Sequence, residues 1–355
     1  MKAKFTRIVT FPIILTVLFS CQTPTNRYPY AIRDFSPIIQ PYLTGIVTHG
    51  IVGSDTLSRY IYDQASDDVL KRLIICEHPI LRALGLRVIM ERPGFDHFKI
   101  LMTHLDDTAT VTRDAGEWGI DYAMISDDVI RGFEWKTKEL RDKTIEEVIT
   151  KHSYLKSAYT ILQTLQPNEK LYPYIITMAK QDRPYDEIEC ALYGLAKFKK
   201  ERDADFIADI LFKNAWRMSE VSFFLMERYP DTSYRRVFEK YFKKELYKKL
   251  HSDEYSHLGE SFYSALAAQK DEKSAEMLNW MLEKKPFIAC RVDSSYFKEQ
   301  LMVAIWNNPC IAYQSIRKKI ESRMREREKS IIGLPMEPST QPETYYWNTN
   351  IYCDF

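Results

Sequence analysis

Two stretches of the chain, HPILRALGLRVIMERPGFDHFKILMTHL (78–105) and HSYLKSAYTILQTLQPNEKLYPYIITMA (152–179), align with each other without a gap. In both, apolar residues recur every three or four positions, a proline interrupts the run, and a second apolar run follows. This spacing is that of one face of an α-helix, so each stretch predicts two helices joined by a turn. The aligned residues include His78 with His152, Leu81 with Leu155, Pro93 with Pro167, Phe98 with Tyr172 and Leu101 with Ile175.

The offset between the two stretches is 74 residues (152 − 78), twice 37, which leaves room for one unit between them. Ile188 follows Leu155 at an offset of 33 and opens a further copy at 187–212. A helical pair cannot bury its apolar face alone, and periods of this length are typical of stacked pairs. The sequence therefore predicts an all-α fold of about seven helical pairs. The later pairs are expected at 219–242, 257–284 and 295–324.

The stretch at 78–89 has a proline at its start and the spacing Arg-Ala-x-x-x-Arg along it, and it resembles HEAT-like repeats of the α-solenoid class. Asp107 and Arg113 fit that family's aspartate in the turn between repeats, followed about six residues later by an arginine. The resemblance implies a curved α-solenoid with a concave row of helices as its contact surface. The later pairs lack the Pro/Arg signature, and a tetratricopeptide array also fits the spacing.

The N-terminus begins with cationic residues and continues with an apolar run from Ile8 to Phe19. The run is too short for a membrane span of about 20 residues, and this arrangement is typical of a signal peptide. The next residues, Leu18-Phe19-Ser20-Cys21, resemble the lipobox of bacterial lipoproteins. The resemblance implies that residues 1–20 are removed and that Cys21 carries acyl chains, which together make a lasting membrane anchor.

This interpretation divides the chain into four parts. They are a signal peptide (1–20), a lipid-anchored tether with an N-terminal cap (21–50), a helical-repeat domain (51–329) and an irregular C-terminal tail (330–355). Gln22 is not the aspartate that retains enterobacterial lipoproteins at the inner membrane, so we expect an outer-membrane location. Within the repeat domain, residues 106–143 depart from the helical pattern and hold three of the eleven glycines and two of the six tryptophans.

Composition excludes several classes of function. With 50 Lys and Arg against 49 Asp and Glu, no net field favours nucleic acid as a partner. No glycine-rich phosphate-binding motif is present, and the cysteines show no CxxC spacing, so we expect no cofactor and no metal site. Cys76 and Cys190 lie in apolar runs and are expected to be buried thiols, whereas a bridge between Cys290 and Cys310 is left open.

No pattern selects a catalytic residue. His97 and His104 lie seven apart, not at the i, i+4 spacing of metal ligands on one helix, and are expected to be surface histidines. Ser219 is expected to cap a helix. Aromatic residues outside the helical stripes are the candidates for contact with a ligand or partner, because their flat faces offer large area with few rotatable bonds. These candidates are Trp118, Trp135, Tyr345, Tyr346 and Trp347.

Together these features predict a lipid-anchored cell-envelope protein that acts as a helical-repeat scaffold or binds a protein, peptide or other ligand. The alternative is an envelope glycan-binding protein or glycan-active enzyme on an α/α helical fold. Such enzymes use carboxylate pairs that meet in space and not in sequence. The sequence therefore leaves this alternative open.

Overall fold

The computed structural model describes residues 27–52, 56–114, 120–132, 137–243, 256–284 and 294–323. These residues are mostly helical, which confirms the main part of the predicted fold class. They divide into two compact units. Unit 1 takes its described residues from the chain up to His97 and from Asp107–Gly132, and unit 2 takes them from Phe98–Asp106 and from the chain after Gly132.

Unit 1 contains short helices and a small sheet. Its helices are α1 (Gln40–His49), α2 (Thr56–Gln64), α3 (Asp67–Leu73), α4 (Pro79–Glu91) and α6 (Ile125–Gly132). Helix α5 (His97–His104) lies between α4 and α6 in the sequence and belongs mainly to unit 2. Its strands are β1 (Ile51–Val52), β2 (Thr110–Asp114) and β3 (Ile120–Met124), in the order β1-β2-β3. The β1–β2 pair is parallel and the β2–β3 pair is antiparallel.

The sheet is a departure from the all-α expectation, and it falls where the helical pattern fails. Thr110, Val111 and Thr112 are β-branched, which disfavours a helix and suits a pleated, half-buried strand. Val111 lies opposite Ala123 across the antiparallel pair, and both side chains are buried. Residues 110–114 and 120–124 therefore form an antiparallel strand pair in unit 1 in place of a helical pair.

Helix α4 is the centre of unit 1, as its apolar run predicts. Pro79 stands at its first turn, where the missing N–H costs no hydrogen bond, and Leu81, Leu84 and Val88 are buried. The helix packs against α1, α3 and α6. At Gly85 an added Cβ would lie 2.8 Å from the Cβ of Leu73, so α3 and α4 approach closely because this position has no side chain.

A buried ion pair holds the sheet side of unit 1 to α4. Arg82 and Asp107 are 3% and 2% exposed, and the guanidinium donates to both carboxylate oxygens at 2.7 and 3.0 Å. Arg82 also donates to the carbonyl oxygens of Cys76 and Glu77. The sequence matches Asp107 and Arg113 to the aspartate and arginine of the HEAT-like pattern. The side chain of Arg113 lies outside the described residues, and in the structure Asp107 binds Arg82.

Unit 2 is helical throughout its described part. Besides most of α5, it contains α7 (Lys138–Lys151), α8 (Lys156–Thr164), α9 (Tyr172–Met178), α10 (Tyr185–Ala196), α11 (Glu201–Lys213), α12 (Glu220–Arg228), α13 (Arg235–Tyr241), α14 (Ser256–Ala268), α15 (Glu272–Lys284), α16 (Ser294–Asn307) and α17 (Gln314–Arg323). Two helices therefore lie in each of the segments 152–179, 187–212, 219–242, 257–284 and 295–324, as their periodicity predicts. We call α8, α10, α12, α14 and α16 the first helices, and α9, α11, α13, α15 and α17 the second helices.

The first helices pack on one another in sequence order, α8 on α10, α10 on α12, α12 on α14 and α14 on α16. Burial is nearly complete in α10, where only Asp186 is not buried, and residues 261–268 of α14 are all buried. Helix α8 buries six of its nine residues and α12 four of nine. The second helices are buried on one face only. In α11 the buried residues are Asp203, Ile207, Ala208 and Leu211, which lie on one side of the helix.

Polar side chains tie each pair to the one before it. The ammonium of Lys197, in the turn after α10, donates to the carbonyl oxygens of Gln163 and Leu165 at the end of α8. Gln269 donates to the carbonyl oxygen of Met226 in α12 at 2.9 Å. The last carbonyls of a helix have no partner within that helix, so these contacts satisfy groups that each helix leaves open.

We predict that Arg82→Ala lowers the free energy of unfolding of unit 1 by about 3–5 kcal/mol, because it leaves the buried Asp107 carboxylate without its counter-ion. Urea denaturation followed by circular dichroism measures the change. Arg59→Ala is the matched control, since Arg59 and Asp63 form a pair with side chains 79% and 60% exposed; we expect that loss to cost about 0.5 kcal/mol or less. Equal effects of the two substitutions would contradict the role given to Arg82.

Candidate functional site

The site residues that the sequence predicts lie outside the described residues, so their environment is not part of the structure. They are Cys21, Trp118, Trp135, Tyr345, Tyr346 and Trp347. Cys290 also lies outside the described residues. Cys76 and Cys190 are buried, as predicted, and Cys310 is half-buried. The expectation of two surface histidines is wrong for His104, which is 3% exposed and lies on the same buried side of α5 as Leu101.

The most buried carboxyl cluster of unit 2 lies where α10 meets α12. Glu189 is 2% exposed, and its two oxygens accept hydrogen bonds from the backbone N–H of Ser219 at 2.9 Å and from its hydroxyl at 2.6 Å. The hydroxyl of Ser222 also hydrogen-bonds to Glu189, and the Tyr185 hydroxyl lies 3.3 Å from Ser222 Oγ. Ser219 Oγ accepts in turn from the N–H of Val221, which confirms Ser219 as the N-cap of α12.

Burial dominates the electrostatics of this cluster. It raises the pKa of Glu189 from 4.5 to about 7, against the lowering effect of the Ser219 and Ser222 hydrogen bonds, and the charge of Asp186 raises it further. Burial also raises the pKa of Tyr185 well above 10, although the Arg217 guanidinium opposes this. The Glu189 carboxyl group therefore changes its charge close to neutral pH while it joins two first helices.

A second cluster joins the end of α5 to the end of α7. His152 is 7% exposed; its Nδ1 lies 3.3 Å from a carboxylate oxygen of Asp106 and 3.3 Å from the hydroxyl of Tyr154. The Tyr154 hydroxyl donates to the carbonyl oxygen of Leu105, and His152 Nε2 lies 3.9 Å from a carboxylate oxygen of Glu147. The two ring nitrogens face different carboxylates, so the cluster is built to connect helices rather than to hold one ion.

Within the described parts of the chain, no group of three or more His, Cys, Asp or Glu side chains is placed to hold a metal ion. The described helices include none that is both long enough and apolar enough to cross a membrane. Comparison with protein-family models, with curated proteins and with solved structures finds no match to this chain. The functional proposal therefore depends on the geometry of this chain alone.

In the described part of unit 2, three large aromatic side chains are exposed to solvent. Trp216 lies in the 3-10 turn between α11 and α12 and is 59% exposed, Tyr174 in α9 is 42% exposed and Trp280 in α15 is 38% exposed. The Arg217 guanidinium carbon lies 5.1 Å from the centre of the Trp216 ring and 5.9 Å from that of Tyr185. Trp216 is thus an exposed aromatic surface beside a cation, next to the Glu189 cluster.

Sequence reasoning missed both Trp216 and Glu189. The signal for Trp216 was its place in KNAWRMS, a polar and cationic break between two apolar helical runs. Glu189 gave no such signal, because EIEC in an amphipathic helix is equally compatible with a solvated glutamate. Its burial comes from Ser219 and Ser222, which lie 30 and 33 residues further along the chain.

We predict that Glu189 makes unit 2 less stable at alkaline than at acidic pH. The folded-state pKa of about 7 exceeds the ordinary 4.5, so the folded chain binds the proton more tightly. This contribution to stability is complete below about pH 4.5 and is lost as pH rises through 7, and it amounts to about 3 kcal/mol. Urea denaturation at a series of pH values between 4.5 and 8.5 measures it.

Glu189→Gln should remove this fall in stability, because glutamine keeps the shape of the side chain and does not titrate. Burial also raises the pKa values of Glu187 and Glu227, so the difference between wild type and variant is the quantity to compare. Glu146→Gln, at an exposed position of α7, is the control and should keep the wild-type pH dependence. The same fall with pH in Glu189→Gln as in wild type would contradict the assignment.

Proposed function

We propose that this protein is a lipid-anchored binding module of the bacterial cell envelope, in which unit 2 is an α-solenoid that holds a protein or peptide partner. The observation that carries the proposal is the ordered packing of first helices α8, α10, α12, α14 and α16. Stacked pairs of this kind form extended surfaces that suit macromolecular partners.

The contact surface follows from which helices are buried. First helix α10 buries eleven of its twelve residues, whereas second helix α11 is buried on one face only. Tyr174 and Trp280 lie on second helices, and Trp216 lies in the turn that follows second helix α11. Exposed tyrosine and tryptophan side chains are frequent anchors of protein interfaces, so we place partner contact on these three residues.

The N-terminal sequence supplies the location. The apolar run that ends at Cys21 supports cleavage before this residue and attachment of acyl chains to it, with the outer membrane as destination. The glycan-active alternative has weaker support. The two carboxyl groups of α10 with raised pKa values, Glu187 and Glu189, are buried and bonded to neighbouring side chains rather than presented to a ligand.

We predict that Cys21→Ala abolishes incorporation of a clickable fatty acid into the protein. In-gel fluorescence of cells fed the labelled fatty acid measures incorporation. Cys310→Ala, which removes a half-buried thiol elsewhere in the chain, is the control and should be labelled like wild type. Persistent labelling of Cys21→Ala would overturn the anchor.

We predict that Trp216→Ala lowers the recovery of a crosslinked envelope partner by at least about fivefold, since loss of an anchoring aromatic costs more than 1 kcal/mol of binding. Crosslinking in intact cells followed by quantitative mass spectrometry measures the recovery. Tyr122→Ala is the control, because Tyr122 is an aromatic residue of unit 1 that is 71% exposed. Equal recovery with Trp216→Ala and Tyr122→Ala, at unchanged melting temperature, would remove Trp216 from the contact surface.

A further inference from the structure

One stretch of unit 1 differs in its charge from most of the chain. Residues 35–54 contain no Asp, Glu, Lys or Arg, although 28% of the residues in the chain are charged. This stretch includes α1 and the residues that lead into it. It begins 14 residues after Cys21, the residue to which the proposed function attaches the lipid.

The side of α1 that faces away from the core is open to solvent. Leu43 and Ile46 are fully buried on its inner side, whereas Pro41, Thr44 and Thr48 are exposed at helical spacing on the other. Just before the helix, Ile38 is 75% exposed, which is unusual for an isoleucine. We call Pro37, Ile38, Pro41, Thr44 and Thr48 the α1 face.

A shallow groove of about 890 Å³ runs along this surface. It is lined by Pro37, Pro41, Thr44, Thr48 and Leu57, together with Gln40, Gly45 and His49. Its walls are methyl, methylene and ring carbons with a few polar groups, and His49 is the one lining residue that can ionise near neutral pH. Such a surface can enter the boundary between lipid headgroups and acyl chains without the cost of dehydrating an ion.

The tether ends in the same compact unit that carries this face. The ring of Tyr28 lies 3.8 Å from the guanidinium carbon of Arg82, and the Glu77 N–H donates to the Tyr30 carbonyl oxygen at 2.8 Å, so the chain is fixed to unit 1 from Tyr28 onward. Only residues 22–27 separate Cys21 from Tyr28, and even when fully extended they reach no further than about 25 Å. Helix α1 packs on α4, which carries Arg82, so both lie in the same compact unit.

We propose that the α1 face rests on the lipid bilayer that holds the acyl chains of Cys21. The inference rests on the proposed lipid anchor and adds a second contact to it. Because the anchor makes this contact intramolecular, a weak interfacial interaction is enough to keep the face on the membrane. The α1 face has no cationic side chain, so the contact depends on apolar burial and not on attraction to anionic lipid.

The experiment is photo-crosslinking of the full-length, lipidated protein in vesicles of phosphatidylethanolamine and phosphatidylglycerol. The photoreactive residue p-benzoylphenylalanine replaces Ile38 or Thr44 on the α1 face, or Tyr122 as an exposed control in the same unit. Mass spectrometry of the same samples reports both the acyl chains on Cys21 and the lipid adducts at the photoreactive residue. We expect lipid adducts at 38 and 44 to exceed those at 122 by about tenfold.

The two proposals fail separately in this experiment. Acylated protein with equal adduct yields at 38, 44 and 122 overturns the membrane contact of the α1 face and leaves the anchor in place. Protein without acyl chains on Cys21 overturns the anchor, and the membrane contact that rests on it. To exclude a folding defect, the circular dichroism spectrum of each substituted protein is required to match that of wild type.

Discussion

Helix α10 of unit 2 has almost no side that faces solvent, and the packing of the helical pairs next to it depends on that constraint. In α10, eleven of twelve residues are buried, so the helix has no polar face that would let it stand at a surface. Its neighbours α8 and α12 cover two sides, and α9 and α11 contact it as well. Each pair is therefore stabilised by the next, and a substitution in one first helix alters the stability of the pairs on both sides.

Such burial sets a condition for every polar group in these helices, because a buried polar atom without a partner costs more free energy than its hydrogen bond returns. The side-chain amide of Gln163 donates to Cys190 Sγ, and Lys197 donates to the carbonyls at the end of α8. Glu189 is bonded to Ser219 and Ser222 of the following pair. The buried polar residues therefore act between pairs, where they fix how one first helix is positioned on the next.

The helical pairs could be predicted from the sequence because their apolar spacing is local, and a proline or polar break marks each turn. Arg82 was recognised from its motif, but its partner Asp107 was assigned to a turn, since a contact across 25 residues leaves no periodic trace. Residues 106–143 depart visibly from the helical pattern, but the five-residue strands at 110–114 and 120–124 are too short for the sequence to identify them as strands. Glu189 was missed for the same reason as Asp107, because burial by a distant segment does not alter the local spacing of apolar residues.

The helices in unit 2 are held by contacts of different strength. Between second helices α9 and α11, the tie is a buried hydrogen bond from the Tyr172 hydroxyl to the Asp203 carboxylate, at 2.8 Å. Between the later second helices, the ties include surface ion pairs, Arg236 with Asp209 and Lys319 with Glu283. Exposed pairs of this kind contribute about 0–1 kcal/mol each and weaken with salt, whereas first helices α10 and α12 are joined by the buried hydrogen bond between Glu189 and Ser222. The later second helices can therefore shift their spacing at lower cost than α10 and α12. Because Trp280 lies on one of these later helices, this part of the surface proposed to bind a partner adjusts to one more easily than the part around Tyr174, which lies on α9.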